Sequence, residues 1–133
     1  MTRRRHLLAL LAAAAALPAG AARAHLPAGA RGPNGGQVQD LGPYHGELVV
    51  RDGELTLYIF DHRDQRVDAR RASGSAILLA EGRQHTLPFE PRPDGSALVA
   101  RGEFKAAPGL RVVVQLVPGP GIARVQARYT PAG

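Results

Sequence analysis

The chain has 133 residues, no cysteine and a formal charge of +6. Lacking cysteine, it can build neither disulfides nor thiolate metal sites. The charge overstates how basic the folded part is. Setting aside Arg3, Arg4, Arg5 and Arg23 at the amino terminus leaves 13 of the 17 basic residues against 11 acidic ones, a balance of +2. With no basic stripe interleaved with aromatics, nucleic acid is excluded as the expected partner.

The amino terminus reads as an export signal. Three arginines precede an unbroken apolar run from Leu7 to Leu17, Pro18 ends it, and small residues follow. A basic head, a core of about 7–15 apolar residues and an A-x-A exit describe a secretory signal peptide. The run is too short for a membrane span, which needs about 20 residues. Ala22-Arg23-Ala24 would release a chain starting at His25, while Ala19-Gly20-Ala21 would release one starting at Ala22. The Thr2–Leu7 segment loosely fits a twin-arginine signal, with His6 where an aromatic is expected. The expectation is therefore residues 1–24 as signal, a periplasmic or secreted bacterial protein, and no transmembrane segment in the mature chain.

Residues 25–36 are rich in Pro and Gly and lack an apolar period, which predicts an extended, mobile leader. The domain is expected over residues 37–131. Short β-like runs separated by turn residues cover roughly Gln37–Asp40, Tyr44–Val50, Glu54–Asp61, Ser75–Ala80, Gln84–Glu90, Ala97–Arg101, Leu110–Val117 and Ala123–Thr130. Nothing beyond the signal has a helical period. The expected fold is all-β: a small antiparallel sandwich, immunoglobulin-like, or a barrel of about 7–8 strands.

One hairpin can be registered from sequence. Asp52-Gly53 is a two-residue turn signal. If Arg51 pairs with Glu54, then Leu48 faces Leu57, Gly46 faces Ile59 and Val50 faces Leu55, making an apolar core side. The opposite side pairs Glu47 with Tyr58 and His45 with Phe60, with His62 one diagonal step beyond. In the last strand, Val125, Ala127 and Tyr129 alternate with Arg124, Gln126 and Arg128.

That outer side carries the chemistry. His45 and His62 would lie roughly 7–8 Å apart at Cα, within reach of a shared ion. Glu47 or Asp61 could add oxygen, although Asp61 points to the other side of a regular strand. Two imidazoles with a carboxylate suit divalent Cu, Zn, Co or Ni. His85 is in phase with Leu87 and Phe89 and reads as a packing residue. After cleavage at Ala24, His25 could chelate through its α-amine and imidazole together. No nucleophile elbow, phosphate loop or placed carboxylate pair supports catalysis, so a non-enzymatic binding module is expected.

The segment Gly32–Asp68 also resembles a group of small exported bacterial proteins. Its pattern runs through P-N-G-G, G-P-Y-H-G-E-L-V-V and L-T-L-Y-I-F-D-H. Such segments stand beside periplasmic adaptor subunits of heavy-metal efflux systems. The resemblance implies metal handling and an efflux adaptor as partner, with Asn34, Tyr44, His45, Glu47, Asp61 and His62 at the polar positions. Asn34 departs from the histidine that relatives often carry there. The competing expectation is a structural or protein-interaction sandwich without a metal. A histidine-brace copper protein starting at His25 is the third.

Overall fold

The computed structural model describes residues 30–131. The expected signal peptide, its cleavage sites and His25 lie outside the described residues. Nine strands form two antiparallel sheets: β1 (Gln37–Leu41), β2 (Tyr44–Arg51), β3 (Glu54–Phe60), β4 (Ser73–Ala80), β5 (Arg83–Pro88), β6 (Glu90–Pro91), β7 (Leu98–Arg101), β8 (Arg111–Val117) and β9 (Val125–Tyr129). The first sheet runs β1-β2-β3-β7-β6 and the second β5-β4-β8-β9. The molecule is a small β-sandwich, as its alternating runs and turn spacing require. Among the described residues no helix is long and apolar enough to cross a membrane.

The hairpin forms in the expected register, with Leu48 opposite Leu57, Glu47 opposite Tyr58 and His45 opposite Phe60. Period-two alternation then turns Leu48, Leu55, Leu57 and Ile59 inward, and all four are buried. They meet Ala76 and Leu78 of β4, Val112, Val114 and Leu116 of β8, and Ala127 and Tyr129 of β9. Each fully buried aliphatic side chain contributes about 1.5–3 kcal/mol to folding. Tyr129 adds a polar tie between the sheets, its hydroxyl donating to the Gly46 carbonyl at 2.8 Å. Gly46 has no side chain because one would strike Leu41 and the Tyr129 hydroxyl.

Two expectations change in the folded chain. The run Gln84–Glu90 is two strands in different sheets, not one. Phe89 is buried at the crossing and its N–H donates to the Gly74 carbonyl, so the chain leaves the second sheet there and enters the first. The leader also departs from the extended, mobile expectation over residues 30–36. Gly32-Pro33-Asn34-Gly35 is a β-turn in which the Gly35 N–H donates to the Gly32 carbonyl at 3.0 Å. Pro33 suits the second position of such a turn, and Gly35 takes φ 79°, which a Cβ would oppose. Gly32 N–H to Gly36 O and Val38 N–H to Ala30 O continue the pairing onto β1. The folded unit therefore includes residues 30–36.

Candidate metal centre

His45 sits on β2 and His62 just after β3. Their imidazole rings lie 5.5 Å apart between centroids, at an interplanar angle of 88°. The hairpin register supplies the first half of this meeting, and a tight loop supplies the second. Asp61 Oδ1 accepts from the N–H groups of Arg63 and Gln65 at 2.8 and 3.0 Å. The Asp61 N–H donates to the Gln65 carbonyl, and Asp64 takes a left-handed φ of 58° that aspartate tolerates better than most residues. The chain then folds back, with Arg66 bridging to Phe60 and the Val67 N–H donating to Ile59. His62 stands exposed near the tip of this loop.

A residue not anticipated from sequence completes the local chemistry. Asp40 pairs with His45 across β1 and β2, and its Oδ1 lies 3.0 Å from His45 Nδ1. A carboxylate accepts, so Nδ1 donates, and in the neutral ring Nε2 is then the nitrogen with a free lone pair. This carboxylate–imidazole arrangement commonly orients metal-bound histidine. The His45 side chain is 13% exposed, whereas that of Asp40 is 58% exposed. Metal–nitrogen bonds of about 2.0–2.1 Å in tetrahedral geometry place two ring centroids about 5 Å apart. The observed centroid separation of 5.5 Å is close to that distance.

Glu47 does something else. It shares the outer side with His45, as the register requires, yet it is fully buried beneath the leader. Its Oε2 accepts from the backbone N–H groups of Asn34 at 2.8 Å and Gly36 at 2.7 Å. Its Oε1 accepts from the Asn34 side-chain amide at 2.9 Å and from the Asn34 N–H at 3.2 Å. Three donors make these four contacts, the Asn34 N–H being shared between the two oxygens. Glu47 is therefore a clasp for the Pro33-Asn34-Gly35 turn, with both its oxygens turned to the leader. Gly32 and Gly36 allow this close approach, since a Cβ would strike Glu47 at the first and the Leu48 carbonyl at the second. Asn34, the position that departs from the resembled pattern, is a donor to this clasp.

The remaining candidates separate in space. Asp61 stabilises the loop that carries His62 and commits Oδ1 to it. His85 is half-buried on β5 and lines an open cavity of about 1100 Å³ with Asp52, Gly53 and Phe104. That cavity adjoins the turn end of the β2–β3 hairpin. His45 lies at the other end, about 20 Å away at 3.3 Å per residue. Beside the site, Tyr58 is flanked by Arg66 and Arg92, whose guanidinium carbons lie 5.7 and 5.8 Å from its ring centre. Among the described residues no group of three His, Asp or Glu side chains stands ready to hold an ion. What the described residues bring together is a pair of imidazoles, one of them against the Asp40 carboxylate.

Two of these residues were within reach of sequence reasoning. Gly42-Pro43 can only be a turn, and a two-residue turn there pairs Asp40 with His45. Pro33-Asn34-Gly35 is itself a turn signal, and a glutamate on the facing strand is a natural acceptor for its N–H groups. The chain gives no match to protein-family models, to curated proteins or to solved structures.

Proposed function

We propose that this protein is an exported, non-enzymatic binding module that takes a divalent transition metal through His45 and His62 and serves a periplasmic heavy-metal efflux system. The observation that supports the reading is the 5.5 Å approach of the two imidazole rings, one of them oriented by Asp40. Imidazole nitrogen suits Cu(II), Zn(II), Co(II) and Ni(II), and no thiolate competes. Two protein ligands leave further positions on the ion for water or for donors of a partner. Such a site binds loosely and hands its ion on, which fits carriage better than storage.

Isothermal titration calorimetry at about pH 7.5, where imidazole is largely neutral, tests this. Cu(II) and Zn(II) should each bind with unit stoichiometry. His45→Ala and His62→Ala should each abolish most of the heat, while His85→Ala should leave it unchanged. Absence of binding, or binding that survives loss of both histidines, overturns the reading. A structural or protein-interaction domain without a metal then replaces it.

A further inference from the structure

The outward side of the second sheet has an unusual charge distribution. Alternation turns Ile77 and Leu79 of β4, Arg111 and Val113 of β8, and Arg128 of β9 away from the core, while Leu78, Val112, Val114 and Ala127 between them are buried. Ile77 faces Val113, and Val113 faces Arg128, so Arg111 is the diagonal neighbour of Arg128, about 7–8 Å away at Cα. Arg124, exposed just before β9, extends the same side. All eleven acidic residues of the chain lie elsewhere, on the first sheet or in turns and loops. Among the described residues no carboxylate pairs with Arg111, Arg124 or Arg128. Arg111 and Arg128, the neighbouring pair, repel one another, and the carboxylate nearest to Leu79 along the chain, Glu81 in the β4–β5 turn, makes no ion pair with either. Opposite Arg111 on β4 stands Leu79, at 40% exposure the one exposed large hydrophobic side chain among the described residues.

We propose that this face docks an acidic protein surface, with Arg111 and Arg128 pairing carboxylates beside an aliphatic strip formed by Ile77, Leu79 and Val113. Arginine suits the role because its planar fork meets a carboxylate with two parallel hydrogen bonds. A membrane is the poorer match. The face holds no aromatic side chain to seat at the headgroup level, and three charges hold a peripheral protein weakly. A second copy presenting the same face is excluded by its own charge. The inference is independent of the metal reading, since the face and the histidines belong to opposite sheets.

The test is an NMR amide-shift titration of the folded domain with a decaglutamate peptide at low salt. Shift changes should be confined to β4, β8 and β9 and should fade as salt is raised. The Arg111→Gln/Arg128→Gln variant, altered only at exposed positions, should bind on the order of tenfold more weakly. Arg63→Gln, on the first sheet's side, should bind as the native protein does. The proposal is overturned if the peptide shifts the Arg63–Arg66 region instead, if the double variant binds equally well, or if nothing binds. It is also overturned if vesicles of phosphatidylglycerol and phosphatidylcholine sediment the protein while the peptide leaves it unshifted.

Discussion

Replacing Glu47 by alanine probes the least expected feature of the molecule. The native carboxylate is buried and accepts the N–H of Gly36 at 2.7 Å, the N–H of Asn34 at 2.8 Å and the Asn34 amide at 2.9 Å. In Glu47→Ala the buried Gly36 N–H loses its acceptor, at about 1–3 kcal/mol. The Asn34 donors are partly exposed and recover water, so their loss costs about 0.5–1.5 kcal/mol. The lost methylene removes about 0.8 kcal/mol more. Relief of the desolvation of a buried carboxylate offsets part of this. The net destabilisation is about 2–4 kcal/mol, and for a domain of about 100 residues it lowers Tm by on the order of 10–25 °C. Glu47→Gln should fall between native and alanine, because its amide turns one donor toward another. Urea denaturation measures the loss, and hydrogen exchange at the Gly36 amide locates it. A change within about 0.5 kcal/mol, as for an ordinary surface residue, together with unchanged Gly36 protection, would refute the clasp. Metal affinity per folded molecule should stay at the native value, since Glu47 contributes no ligand.

Tyr129→Phe removes the bond to the Gly46 carbonyl and should shift the urea midpoint by about 1–2 kcal/mol with an unchanged m-value. Burial first, and the charge of Asp40 second, push the Tyr129 phenol above its usual value of 10.0. Its raised folded-state pKa means this stability is present below pH 10.0 and is lost as alkali ionises the unfolded phenol, so the phenylalanine variant should show a shallower alkaline loss. At Asp68, the hydrogen bond from the Arg70 side chain holds the carboxyl down at about 2, against 3.8 for the free group. Because the folded value is depressed, its contribution is present above 3.8 and lost as pH falls toward 2. NMR titration of Arg70→Ala should find the Asp68 midpoint moved upward, and an unmoved midpoint refutes the attribution.

What the sequence determined by itself is everything that depends on near neighbours. The Asp52-Gly53 turn sets the β2–β3 register, and period two then decides that Leu57 is buried while Tyr58 is not. The same alternation put Val125, Ala127 and Tyr129 on the inner side of β9 and His45 on the outer side of β2, where the Asp61–Gln65 loop brings His62 beside it. Tertiary structure decided what alternation cannot encode. A strand pattern reports which side a residue faces and not what covers that side, so Glu47 read as a solvated candidate ligand. Only the folding back of Gly32–Gly36, joined to Glu47 across 11 to 13 residues, turned it into a buried acceptor. The orientation of His45 likewise depends on Asp40 in a neighbouring strand, and the division of Gln84–Glu90 on where Phe89 finds a buried site between the sheets. In each case the deciding factor is the satisfaction of a buried group by a distant partner, which becomes fixed only when the two sheets and the leader have closed on one another.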